Sequence, residues 1–222
     1  MQIGECVLRG LVVGTGYSLK AQLDLVPRFD GLVFTCNNTY QDIKTDVWLS
    51  CDPSWHKHYG RVHPQGFDRW HWDAEICKEH RYYHVEGIWM DGLWMDDKSK
   101  ISLNHCSGAQ LLNLACNQYG CDEVLLVGHD FHYNAPQRHY FDDLSETAGE
   151  YPQQIRKHSL FDKKGAGNDL LNVYRHISAQ DGLPPIINCT PDSALPWFEM
   201  GNLEDYLNEK TRPEKISKDQ RS

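Results

Sequence analysis

Leu11-Val12-Val13-Gly14-Thr15-Gly16-Tyr17-Ser18-Leu19 begins as a short apolar run of the buried-strand kind and breaks at a turn bracketed by two glycines. Leu19, Leu23 and Leu25-Val26 follow at helix-like spacing until Pro27 stops them. A strand, a tight turn and a helix in that order form the opening unit of a parallel α/β sheet.

The same grammar recurs along the chain. Leu32-Val33-Phe34-Thr35 ends in Cys36-Asn37-Asn38-Thr39, and Val47-Trp48-Leu49 ends in Ser50-Cys51-Asp52. Val124-Leu125-Leu126-Val127 is the clearest strand and runs into Gly128-His129-Asp130; Pro185-Ile186-Ile187 ends in Asn188-Cys189-Thr190. Between them, Leu111, Leu112, Ala115 and Tyr119 mark a helical face that Gly120 is placed to end. Leu170, Leu171, Val173, Tyr174 and Ile177 mark another, closed by Gly182, and Asn202 caps a last helix from Leu203. The reading is an α/β fold, a mostly parallel sheet flanked by helices, with its ligand crevice at the carboxyl edge.

Residues 1–208 are read as a single domain with two departures from this pattern. Residues 53–100 hold five of the 7 Trp and six of the 12 His with little periodicity, and read as an aromatic, histidine-rich insertion or flap carrying one strand around His84–Trp89. Residues 131–165 are polar with Gly and Pro, which suits a lid or active-site loop. The segment 209–222 is charged and nearly free of apolar residues, the composition of a disordered tail.

Composition narrows the function. At 222 residues the chain is long enough to bury roughly 70% of its unfolded surface without help from metals or disulfides. Lys and Arg number 22 against 31 Asp and Glu, a formal charge of −9 that disfavours a broadly basic nucleic-acid surface. Mean hydropathy is −0.61, and no apolar run approaches the length of a membrane span. The 8 cysteines are scattered with no C-x-x-C pair, and the N-terminus lacks a signal peptide's basic and apolar regions. These features predict reduced thiols and a cytoplasmic protein. They leave its oligomeric state open.

Several residues could carry chemistry. A turn that opens a helix directly after a strand presents free N–H groups to a phosphate, and glycines let the backbone approach it closely. Gly14, Gly16 and Ser18 stand at that place. Leu19 occupies the position of the third glycine of the dinucleotide fingerprint, and the second strand ends in asparagines rather than the acid that would hold a ribose. No Gly-x-x-x-x-Gly-Lys-Ser/Thr occurs either, so NAD and P-loop chemistry are disfavoured. Compact polar groups end four strands: Asn37 and Asn38, Asp52, Asp130, and Asn188 with Thr190. In a parallel sheet all of these face one crevice. His56, His58, His63, His71, His80, His84 and Cys77 match no tetrahedral spacing, so no metal site is assigned, although Asp52 and Asp130 could hold Mg²⁺ beside phosphates. His139, with His158 in reserve, is the candidate general base in the polar loop.

Taken in order, these blocks resemble a known group. Val12 to Leu19 resembles the Gly-x-Gly-Pro-Ser-Leu opening of a phage and bacterial family related to archaeal 6-hydroxymethylpterin pyrophosphokinases and to CMP-dependent bacterial sialyltransferases. Thr35–Tyr40 with Asp46–Asp52 resembles its Asn-then-Asp strand ends. Asn104 with Ser107–Gln110 and Val124–Asp130 resembles its Asn-Ser-Gly, helix, strand, Gly-x-Asp core, and Ile187–Leu195 its closing Asn-x-Thr-Pro-x-Ser-Ala-Leu. Tyr17 replaces the usual Pro, and His105-Cys106 separate Asn104 from Ser107.

The resemblance implies a Rossmann-like transferase with a nucleotide sugar as co-substrate. Gly14, Gly16 and Ser18 would cradle the donor phosphates, and Asn37, Asn104, Ser107 and Gly108 its base and ribose. Asp130 would lie at the reaction crevice, with His139 as base. The acceptor would be a small-molecule hydroxyl or a modified base in DNA, the latter not favoured by the acidic charge. Two alternatives are a pyrophosphokinase using ATP and Mg²⁺ and a non-catalytic nucleotide-binding or phage assembly protein.

Overall fold

The computed structural model describes residues 7–51, 55–56, 65–104, 106–131 and 166–208. Among these, eight parallel strands form the main sheet: β1 (Arg9–Val13), β2 (Leu32–Cys36), β3 (Val47–Leu49), β4 (Asp68–His71), β5 (Tyr83–His84), β8 (Glu123–Val127), β9 (Ile186–Asn188) and β10 (Glu199–Met200). Their order is β10-β9-β8-β1-β2-β3-β4-β5, and β6 (Glu86–Ile88) pairs with β7 (Lys100–Ser102) separately. From β3 to β10 this is the order of the doubly wound dinucleotide folds, extended at one edge by β4 and β5.

The central strands are buried on both faces, as parallel strands covered on both sides must be. Side chains alternate between two cores. Leu11, Val13, Val33, Leu125 and Val127 meet Leu19, Val26, Phe29 and Leu203 on one face. Val12, Phe34, Val124 and Leu126 meet Ala109, Leu112, Val173, Tyr174 and Ile177 on the other. The second cover comes from α2 (Ser107–Asn113), prolonged by a π-helical turn, and α3 (Ala166–Ser178); Leu203 opens α4 (Leu203–Asn208). The covering elements change face between β1 and β8, which makes that pair the switch point of the sheet.

Two expectations are corrected. The segment after the glycine turn is not an α-helix but two 3₁₀ turns, Tyr17–Gln22 and Val26–Arg28. Its backbone bonds run i→i−3, as in Leu25 N to Gln22 O and Arg28 N to Leu25 O, and Pro27 has no N–H with which to close an α-helical ring. The stretch 53–100 is more ordered than a flap with one strand. β4 pairs with β3 and β5 with β4, and α1 (Ala74–His80) lies between them. Asp73 caps α1 by accepting from Glu75 N and Ile76 N, and Arg81 ends it in the left-handed conformation. Two histidines of this stretch are packed inward: His56 and His71 are buried in an aromatic nest with Trp48, Trp55 and Tyr82, while His84 is exposed.

Two side chains pin the rest of this stretch to the core. Asn113 accepts from Trp94 N and Ser102 N and donates to Trp94 O, while Gln180 brackets both backbone groups of Leu93. No helix among the described residues is long and apolar enough to cross a membrane. The described cysteines are all free thiols. The lid expectation for 132–165 and the tail 209–222 lie outside the described residues.

Candidate ligand site at the carboxyl edge of the sheet

At the switch point the turns after β1 and β8 lock together. Gly14 N donates to Val127 O and Gly16 N to Gly128 O, both at 2.8 Å. A β-carbon on Gly14 or Gly16 would collide with the Gly128 carbonyl, and on Gly16 also with the Asp130 carboxylate. Gly128 itself has φ 68, which a side chain rarely adopts. The glycines therefore let two backbones touch. Ser18 completes the lock: its N–H donates to Asp130 Oδ1 and its hydroxyl to Oδ2, each at 2.9 Å.

The β8 turn is tied to β9 as well. His129 N donates to Thr190 Oγ1 at 3.0 Å, Ser193 Oγ donates to His129 O at 2.6 Å, and Ala194 N donates to Asp130 O at 2.8 Å. Asn188 Oδ1 accepts from Thr190 N. Gly128-His129-Asp130 thus fixes the carboxyl ends of β1, β8 and β9 relative to one another.

The two asparagines after β2 have different duties. Asn38 Oδ1 accepts from Trp55 Nε1 at 2.8 Å, so it holds the aromatic nest. Asn37 sits at φ 49, accepts from Trp48 Nε1 through its backbone carbonyl, and keeps a buried Oδ1 without a protein partner. Asn104 turns inward: its Nδ2 donates to Ser102 Oγ and its Oδ1 accepts from Cys106 N. Ser107 opens α2. Gly108 leaves room for the Tyr174 hydroxyl and the His129 ring, both of which a β-carbon would meet below 3.0 Å. Asp52, His139 and His158 lie outside the described residues.

His129 was not selected from the sequence as a functional group. Its Nδ1 faces Val127 O at 2.9 Å, which requires the proton there and leaves Nε2 as a bare acceptor with no partner. Burial pushes its pKa down to about 4, so the ring is neutral near pH 7. Its signal in the sequence was its place, directly after the clearest strand. The thiols beside the site are inert, because burial raises Cys36 to about 12 and raises Cys106 too.

Buried polar atoms without protein partners recur from strand to strand. Those at the strand ends are Asn188 Nδ2 at β9, His129 Nε2 after β8, Asn37 Oδ1 after β2, Ser50 Oγ after β3 and His71 Nε2 at β4; others, such as Trp94 Nε1 and Gln110 Oε1, lie elsewhere. An orphaned buried polar atom is costly, and five along one sheet edge call for a ligand or solvent. Among the described residues no group of three or more His, Cys, Asp and Glu is arranged to hold a metal ion. The Asp130 carboxylate considered for Mg²⁺ is turned onto Ser18.

Fold and site together define a Rossmann-like protein with a polar carboxyl edge. No protein-family model matches the chain, and no curated protein matches it in sequence. Solved structures do match. The sialyltransferase CstII from Campylobacter jejuni, in complex with a substrate analogue, cytidine-5'-monophosphate, aligns at TM-score 0.51 and 16% identity, over 90% of this chain and 88% of that one. The MAf glycosyltransferase from Magnetospirillum magneticum AMB-1 aligns at TM-score 0.52 and 11% identity, over 90% of this chain and 35% of that one. At these identities the likeness is one of fold, a glycosyltransferase-like α/β arrangement.

Proposed function

We propose that this chain is a glycosyltransferase that moves a sugar from a nucleotide-activated donor to a hydroxyl acceptor. The observation that carries the reading is the set of orphaned buried polar atoms around the β1–β8 switch point, Asn188 Nδ2, His129 Nε2 and Asn37 Oδ1. Open α/β sheets bind their ligands there. The fold likeness to two glycosyltransferases supports the class of reaction, and the cytidine-5'-monophosphate in one of those complexes makes CMP the first donor nucleotide to test.

In this reading Asn37 faces the ribose or base, with Asn104, Ser107 and Gly108 forming the wall beneath it. Gly14, Gly16 and Ser18 shape the phosphate side, together with Asn188 and Thr190. An acceptor hydroxyl attacks the anomeric carbon while the bond to the nucleotide oxygen breaks and its electron pair leaves with the nucleotide. A base, His139 with His158 in reserve, takes the hydroxyl proton, and Asp130 holds the turn that frames the reaction.

The test is thermal shift against CMP, UDP, GDP and ATP, each with and without Mg²⁺. A nucleotide at 100 times its Kd stabilises the fold by about 2.7 kcal/mol, raising Tm by roughly 2–4 °C. A metal-independent shift with CMP, UDP or GDP is expected. A response confined to ATP with Mg²⁺ transfers the reading to the pyrophosphokinase, and no response removes the donor site.

A further inference from the structure

The edge strands β4 and β5 extend the sheet beyond the dinucleotide-fold order, and the carboxyl ends of β3 and β4 carry polar atoms with no role in the switch-point lock. Ser50 follows β3 and is fully buried, and His71 ends β4 and is fully buried. The register that pairs Leu49 with Trp70 brings Ser50 beside His71 on the same face of the sheet. Neither Ser50 Oγ nor His71 Nε2 has a protein partner.

The tautomer of His71 follows from its contacts. Asp73 N donates to Nδ1 at 2.8 Å, so Nδ1 is bare and the neutral ring carries its proton on Nε2. Burial, reinforced by His56 nearby, pushes the His71 pKa down to about 3, so the ring stays neutral through the physiological range. His71 therefore presents an N–H donor, where His129 presents an acceptor. Beside it the half-buried Trp72 ring lies nearly parallel at 5.6 Å, held by Trp72 Nε1 donating to Cys51 O. Two charged residues of this segment are engaged in other contacts: the Asp73 carboxylate caps α1, and the Arg69 guanidinium lies over the Tyr82 ring.

A neutral donor, a hydroxyl and a flat aromatic ring, with the His56 ring packed edge-on against His71 at 4.7 Å, form a small set of polar groups among aromatic side chains, the make-up of a site for an uncharged small molecule. We propose that the carboxyl ends of β3 and β4 form a second ligand subsite, in which Ser50 Oγ and His71 Nε2 hold hydroxyl oxygens of an uncharged sugar ring. Resting on the glycosyltransferase reading, it is the acceptor side, adjacent along the sheet edge to the donor crevice.

The test uses the full chain and its Ser50→Ala and His71→Asn variants, titrated with methyl β-galactoside and methyl β-glucoside by ligand-observed NMR. CMP is titrated in parallel. Ser50→Ala deletes an orphaned buried hydroxyl, so Tm should hold or rise, while glycoside affinity should fall about fivefold, the loss of one neutral hydrogen bond. His71→Asn keeps an acceptor for Asp73 N and removes the Nε2 donor, and should weaken glycosides similarly. Unchanged glycoside affinity in Ser50→Ala overturns the subsite, as does a loss of CMP affinity instead, which assigns Ser50 to the nucleotide. Glycoside failure with CMP still binding overturns this proposal alone. Glycoside binding that depends on Ser50 without any nucleotide response upholds the subsite and removes the donor reading.

Discussion

Ser18 gives both of its donors to one carboxylate: its N–H reaches Asp130 Oδ1 and its hydroxyl Oδ2, each at 2.9 Å, with the carboxylate flush against Gly16. The Asp130 carboxylate thus sits in the turn proposed to frame the donor phosphate. In Asp130→Asn the amide can still accept from Ser18 N while donating to Ser18 Oγ, so the stability cost should be about 1 kcal/mol. Losing the negative charge should leave CMP affinity equal or higher while transfer falls. Urea unfolding, nucleotide titration and a transfer assay separate these effects. A fall in CMP affinity would show that the carboxylate helps binding.

The same contact predicts non-additivity. Gly16→Ala places a β-carbon against the Asp130 carboxylate and the Gly128 carbonyl, and should destabilise by about 1–3 kcal/mol. Removing the carboxylate in Asp130→Ala vacates one of those two contacts. The double variant should therefore be more stable than the summed singles predict, by about 0.5 kcal/mol or more. Denaturant midpoints of the four proteins close the cycle, and strict additivity would mean that the Gly128 carbonyl alone sets the cost.

His71 and His129 set an acid limit. Their folded pKa values, about 3 and about 4, lie below the ordinary histidine value of 6.5, so the unfolded chain binds these protons first. Their stabilisation is complete above about pH 6.5 and is lost as pH falls from there toward 4. Each ring contributes a slope approaching about 1.4 kcal/mol per pH unit in that window. Denaturant midpoints between pH 7.5 and 4.5 should fall accordingly, and His129→Gln should flatten the profile. A flat wild-type profile would mean that these rings reach protons in the folded state.

What the sequence disclosed and what it hid have separate causes. β1 and β8 are uniform apolar runs because both faces are covered, and their polar ends are legible for the same reason. β4 was invisible to hydropathy because its polar residues find partners only in the fold. Asp68 accepts from the Tyr119 hydroxyl, which accepts from Trp70 Nε1, and Arg69 lies over Tyr82. Asn37 and Asn38 read alike, and only the position of Trp55 separates them. The part played by His129 depends on Gly108 and Tyr174, far along the chain, so its place directly after the clearest strand was its one local signal.

Asn37 offers the sharpest separation of structure from function. Its left-handed backbone is one that glycine adopts without cost, and its bond to Trp48 Nε1 uses the main-chain carbonyl, which every residue has. Its side-chain Oδ1 is buried and bonds to nothing in the protein. A side chain kept for the fold should be missed by the fold when removed. Asn37→Gly should instead leave Tm within a degree or two of wild type, while CMP affinity falls about five- to tenfold through the lost hydrogen bond. Thermal unfolding and nucleotide titration on the same samples decide the matter. A large drop in Tm with unchanged CMP binding would return Asn37 to the scaffold and move the nucleotide away from the end of β2.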